Sequence, residues 1–140
     1  MFRLKTSAAF DSAHFLAGYE GKCANIHGHR WRVEAAVTGE LVTEGPKRGM
    51  IVDFGDLKKA VRALADRFDH TLIYEDGTLS EASLAALGEQ GFSLTAVPFR
   101  PTAENLAEHF YGLLSAEGFR VTSVAVYETP ENCAVYEAEI

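Results

Sequence analysis

The sequence predicts an α+β fold in which two pairs of β-strands flank two long amphipathic helices. Three observations carry that expectation. Residues 2–14 and 27–37 alternate inward and outward side chains with period two, residues 57–68 and 103–114 repeat apolar side chains every three or four positions, and a second strand pair closes the chain around a turn at Pro130-Glu131-Asn132. The coarse order is ββ, α, a connecting stretch over about 71–100, α, ββ, read as a single domain over residues 1–140. With 140 residues, 47% of them hydrophobic and 24% charged, the chain is long enough to bury a core.

In the first strand Phe2, Leu4, Ala8, Phe10, Ser12 and His14 share one face. After a loop containing Gly18 and Gly21, the residues His27, His29, Trp31, Val33, Ala35 and Val37 make the inward face of a second strand, opposite Arg30, Arg32 and Glu34. The two are expected to pair antiparallel. Gly39 to Arg48 is rich in turn formers. Asp53 then caps a helix whose stripe is Leu57, Ala60, Val61, Leu64, Ala65 and Phe68, ending near Asp69-His70. Between 71 and 100 the pattern is weak, with a short helix over about 80–87 and a strand over 93–99. Pro101-Thr102 opens the second long helix, with Ala103, Leu106, Ala107, Phe110, Leu113 and Leu114 on its stripe and Gly118 as its stop. Strands over Val121–Glu128 and Cys133–Ile140 follow.

A formal charge of −7 gives no broad attraction for nucleic acid or an anionic membrane. A phosphate-bearing ligand would have to be met locally, by cations such as Lys22, Arg30, Arg32, Lys47 and Arg48. The first residues read as strand rather than as an export signal, and no apolar run approaches the ~18 residues of a membrane span. A cytoplasmic protein with Cys23 and Cys133 as free thiols is the expectation.

His27 and His29 lie two apart on one strand, so their rings leave the same face about 6.5–7 Å apart at the backbone and can converge on one ion. Hairpin pairing would bring His14 opposite them as a third ligand. Three histidines favour zinc and leave one tetrahedral position open; the plainer reading is three ordinary strand histidines. Cys23, just ahead of the pair, is either a small buried residue or a thiolate favoured by Lys22 and a bound cation. Asp69-His70 reads as a carboxylate orienting an imidazole, or as a helix C-terminus carrying a favourable histidine. Glu128 shares its face with Val124 and Val126, so its carboxylate needs a partner, either an arginine or a ligand edge with paired N–H groups. His109 is expected to face solvent and Cys133 to be structural.

Taken in order, Ser12-Ala13-His14, Cys23-x-x-x-His27-Gly28-His29, Asp53-Phe54, Asp69-His70, Pro101-Thr102-Ala103-Glu104-Asn105 and Glu128-Thr129 resemble the 6-pyruvoyltetrahydropterin and 6-carboxytetrahydropterin synthase family along most of the chain. The resemblance implies the tunnelling fold: a four-stranded antiparallel sheet with two long helices on one face, assembling into an oligomeric barrel, commonly a homohexamer (a dimer of trimers) with active sites between subunits. It implies zinc on His14, His27 and His29, Cys23 as proton acceptor, Asp69 and His70 as a proton relay, and Glu128 as pterin anchor, with Thr102 and Thr129 as further polar contacts. No external redox cofactor is implied. The short spacing from Cys23 to His27 looks like the bacterial 6-carboxytetrahydropterin synthases of queuosine biosynthesis, which would make the substrate 7,8-dihydroneopterin triphosphate and the products the carboxypterin, acetaldehyde and triphosphate. The alternatives are a pyruvoyl synthase that only eliminates triphosphate, and a non-catalytic zinc- or pterin-binding protein of the same fold. Two departures stand out: Trp31, where a smaller aromatic is usual, and the long connection over 71–100, read as a family-variable insert.

Overall fold

The computed structural model describes residues 1–139, so the last residue predicted for the closing strand, Ile140, lies outside the described part. The elements in chain order are β1 (Leu4–His14), β2 (His27–Thr38), α1 (Phe54–Phe68), β3 (Leu72–Glu75), α2 (Glu81–Glu89), β4 (Leu94–Val97), α3 (Ala103–Ala116), β5 (Arg120–Thr129) and β6 (Asn132–Glu137). β1 and β2 pair antiparallel from Leu4 opposite Val37 to His14 opposite His27. β5 pairs antiparallel with β2 on one side and with β6 on the other.

These four strands are the antiparallel set that the alternation predicts, but the sheet is larger than four strands. Among the described residues it has six, in the order β4-β3-β1-β2-β5-β6, and the added pairs are parallel: β3 beside β1 and β4 beside β3. The direction follows from the connections, because a strand that returns through a crossover helix, as β4 does through α2, runs parallel to the one before it. β3 has only Leu72, Ile73, Tyr74 and Glu75, with the middle two buried. Four residues with no alternation show no period to read. Residues 71–100 therefore extend one edge of the sheet and add a third helix.

Both long helices start on side-chain caps. Asp53 Oδ1 accepts from Gly55 N at 2.7 Å and Thr102 Oγ1 accepts from Asn105 N at 3.1 Å, each satisfying a backbone donor left free in the first turn. α1 and α3 cover the same sheet face. Their apolar stripes are buried with Ala8 and Phe10 of β1, Trp31 to Val37 of β2, and Val121, Val124 and Val126 of β5. Phe10 stacks on Trp31 at 6.0 Å and meets Phe110 edge-on at 6.4 Å. α2 buries no residue. His109, expected in solvent, instead packs against Phe68 and Phe99, with ring centroids 6.3 and 5.2 Å away, and burial lowers its pKa. Its helix position borders the stripe, and Phe99, arriving from the edge extension, covers it. Cys133 is exposed on β6, outside the core. Among the described residues no helix is long and apolar enough to cross a membrane.

Candidate metal centre

The inward row of β2 runs from Val37 through Trp31 to His29 and His27, so the histidines continue the core at one end of the sheet. The β1–β2 register sets His27 opposite His14 and His29 opposite Ser12. Ring centroids are 4.5 Å apart for His14 and His27, 5.2 Å for His14 and His29, and 4.9 Å for His27 and His29; one nitrogen of each lies within 4.8 Å of the others. Trp31 closes the core side, edge-on to His14 at 4.8 Å and His29 at 5.3 Å, with Nε1 donating to the Ser12 carbonyl at 3.1 Å.

The hydrogen bonds decide where the ring protons are. His14 Nδ1 lies 2.7 Å from the Pro101 carbonyl oxygen, and His27 Nδ1 lies 2.7 Å from that of Asn25. A carbonyl only accepts, so both Nδ1 atoms carry hydrogen and, in the neutral rings, both Nε2 atoms are bare. Those two bare nitrogens face each other at 3.0 Å. Two lone pairs at that separation repel unless a cation lies between them. Burial lowers the pKa of His14 from 6.5 to about 4, so the His14 ring itself is neutral near pH 7. His29 Nε2 is buried with no hydrogen-bond partner, and burial lowers that ring's pKa too, against the opposing pull of Glu128.

Three ring nitrogens thus converge on one small region, and the rings of His14 and His27 are steered by backbone carbonyls behind them. The group fits a metal ion, with the carbonyls as its outer support. Three protein ligands would leave a position for water or substrate. Glu128 stands at the edge, its Oε1 3.7 Å from His14 Nε2. It is there because the β5–β6 ladder skips it: Tyr127 pairs with Cys133 and Thr129 with Asn132, leaving Glu128 in the irregularity between them.

Among the described residues, the remaining predicted ones make no hydrogen bond to the three rings. Cys23 lies half-buried in a single 3₁₀ turn over Lys22–Ala24, its carbonyl accepting from Leu16 N at 2.9 Å. Asp69 Oδ1 accepts from Asp11 N at 2.8 Å and its Oδ2 accepts from His70 Nδ1 at 2.9 Å, while His70 N donates to the Asp11 carbonyl at 2.6 Å. The bond from Asp11 N, then that from His70, holds the Asp69 carboxyl below the usual carboxylate range; Asp69 in turn raises the His70 pKa. His70 has φ +56°, the left-handed region, and a side chain 78% exposed. His70 and His29 border one cleft of about 630 Å³, with Ile26, Leu87 and Phe92 on its wall. A second cleft of about 480 Å³ is bordered by His29, Glu128, Thr129, Arg30 and Arg32. Thr102 Oγ1 accepts from Asn105 N as the cap of α3 and Thr129 Oγ1 accepts from Asn132 N at 3.2 Å, so each hydroxyl can still donate a hydrogen bond. Arg30 pairs with Asp11 at 3.0 Å, and Arg32 pairs with Glu34 at 3.3 Å while lying 3.9 Å over the Tyr127 ring. The Pro101 and Asn25 carbonyls were not foreseen, because a main-chain acceptor has no signature in residue type.

Solved structures of low sequence identity share this architecture. An uncharacterised protein from Wolinella succinogenes matches with a TM-score of 0.78 at 22% identity, over 99% of this chain and 98% of that one. A 6-pyruvoyl tetrahydropterin synthase from Caenorhabditis elegans matches with a TM-score of 0.68 at 23% identity, over 99% of this chain and 96% of that one. Fold and histidine cluster together define a tunnelling-fold protein with a site able to hold a metal. In sequence, the family described as 6-pyruvoyl tetrahydropterin synthase matches residues 3–139. The 6-carboxy-5,6,7,8-tetrahydropterin synthase of Haemophilus influenzae is 39% identical over 116 residues, covering 81% of this chain and 82% of that protein. The chain belongs to the 6-pyruvoyl tetrahydropterin synthase family.

Proposed function

We propose that this protein is a zinc-dependent 6-carboxytetrahydropterin synthase, a carbon–carbon lyase of queuosine biosynthesis. It would convert 7,8-dihydroneopterin triphosphate to 6-carboxy-5,6,7,8-tetrahydropterin, acetaldehyde and triphosphate. The observation that carries the reading is the convergence of one ring nitrogen each from His14, His27 and His29 beside the Glu128 carboxylate. The name of the Haemophilus relative and the Cys23 to His27 spacing support the carboxy product over the pyruvoyl one. We read residues 1–140 as one domain with an insert at about 71–100, working in the cytoplasm as a homohexamer.

In this reading His14, His27 and His29 hold the zinc, which supplies Lewis acidity toward the hydroxyls of the substrate side chain. Glu128 accepts hydrogen bonds from the 2-amino group and a ring N–H of the pterin, fixing its orientation; Thr102 and Thr129 offer further polar contacts. Cys23, as thiolate, removes a side-chain proton. Asp69 keeps the His70 Nδ1 proton in place, so His70 Nε2 is free to take up and return protons. We take the site to be completed between subunits of the homohexamer.

The test is to incubate zinc-loaded protein with 7,8-dihydroneopterin triphosphate, identify the pterin by mass spectrometry and assay acetaldehyde. Carboxytetrahydropterin with equimolar acetaldehyde is the expected result. Pyruvoyltetrahydropterin without acetaldehyde would make the protein an eliminating synthase, and no conversion by metal-replete protein would leave a binding role.

A further inference from the structure

The Pro101-Thr102-Ala103-Glu104-Asn105 motif places no side-chain nitrogen or oxygen in the histidine cluster, yet it supplies the group behind His14. We infer that Asn105 is a positioning residue for the metal centre, its side-chain amide locking the loop whose Pro101 carbonyl sets the tautomer and direction of His14. The inference rests on the metal reading above.

The loop is clamped on both sides of Pro101. Asn105 Nδ2 donates to the Arg100 carbonyl at 3.0 Å, and Thr102 N donates to the same oxygen at 2.8 Å. Thr102 Oγ1 accepts from Asn105 N at 3.1 Å, so one residue closes the turn with both its backbone and its side chain. Arg100 Nη2 donates to the Ala17 carbonyl at 2.7 Å, tying the loop to the segment just beyond His14. Pro101 is buried between these anchors. Its ring fixes φ and removes the N–H, so the polar group it offers is the carbonyl, and that carbonyl meets His14 Nδ1 at 2.7 Å.

Release of the clamp would let this carbonyl swing. The His14 ring would then lose its reason to keep hydrogen on Nδ1, and the competing tautomer puts a hydrogen on Nε2, where a ligand lone pair is required. An amide at position 105 is specific for the task. Aspartate has the same shape but only accepts, and would set its charge against the Arg100 carbonyl lone pairs. Loss of such outer support typically weakens metal binding about 10–100-fold.

The experiment compares the full-length wild type with Asn105→Asp, Asn105→Ala and Leu113→Ala, the last a partly buried truncation on the same helix away from the clamp. Zinc affinity is read by competition with a chromogenic chelator, and the His14 tautomer by nitrogen NMR of the zinc-free protein. The expected result is a zinc Kd raised about 10–100-fold in both Asn105 variants but not in Leu113→Ala, with His14 moving from the Nδ1–H form to a mixture. Unchanged affinity and tautomer in Asn105→Asp would overturn the inference. Equal loss in Leu113→Ala would do the same, reducing Asn105 to a helix-stability residue. If Asn105→Ala does not fold, the isosteric Asn105→Asp carries the test. A wild type that binds no zinc would sink the metal reading, while the tautomer in metal-free protein still decides the role of Asn105.

Discussion

Acidification from neutrality toward pH 4 should cost the zinc-free protein about 3 kcal/mol of stability through His14 alone. The residue has no solvent exposure, and desolvation by burial lowers its pKa from 6.5 to about 4. The sign follows from counting protons. Between those two values the unfolded chain binds a proton at position 14 and the folded chain does not, so stability falls as pH falls across the window. At ~1.36 kcal/mol per pH unit, a gap of roughly 2.5 units gives about 3 kcal/mol. His29 and His109, also held down by burial, push the same way. His70 opposes them, since its raised pKa contributes stability that is present at low pH and lost as pH rises through the folded value. Subtraction isolates His14: the His14→Gln variant retains an N–H donor for the Pro101 carbonyl and cannot titrate. Urea unfolding of chelator-treated protein at steps from pH 7.5 to 4 should show the wild type losing about 3 kcal/mol more than the variant. Parallel profiles would refute the claim that His14 is held neutral by burial, and with it the account of two bare nitrogens at 3.0 Å.

Other outcomes follow from the same geometry. Cys23→Ala should cut turnover by about 10²–10⁴-fold while metal analysis shows zinc content unchanged, whereas His27→Ala should lose both; zinc loss in the cysteine variant would move Cys23 from base to ligand. Glu128→Gln should weaken pterin binding about 10–100-fold in a fluorescence titration, the magnitude of a charged hydrogen bond of ~1.5–3 kcal/mol, with metal content retained. Trp31→Ala, removing a fully buried indole stacked on Phe10 and edge-on to two histidines, should cost about 3–5 kcal/mol in chemical denaturation and weaken metal binding as the wall of the cluster recedes.

Much of this was legible in residue order because β1 and β2 are long and alternate over most of their length, until Ala35, Ala36 and Val37 are buried in succession. Phe10, Trp31 and Val33 declare the inward face, and the histidines inherit it, so the histidine cluster could be placed from parity and hairpin pairing. Asp53 and Thr102 announced their helices because a cap is a local hydrogen bond between near neighbours. What escaped depends on contacts distant in sequence. β3 is four residues long and is defined by its neighbours β1 and β4 rather than by any pattern of its own. The approach of Glu128 to His14 requires an irregularity in the β5–β6 ladder, which no side-chain type specifies. The tautomers of His14 and His27 are fixed by carbonyls at Pro101 and Asn25, and Pro101 lies 87 positions away from the ring it orients. His109 was misplaced for a similar reason, since its cover, Phe99, arrives from the edge extension.

The left-handed backbone of His70 sets two demands on that position against each other. At φ +56° a side chain carries strain of roughly 1 kcal/mol that glycine would relieve. A stabilisation campaign scored on melting temperature alone would therefore favour His70→Gly and delete the imidazole that Asp69 holds. Libraries built to harden this protein should keep position 70 fixed and gain their stability elsewhere, on surfaces such as the exposed face of α2, where no buried contact is at stake.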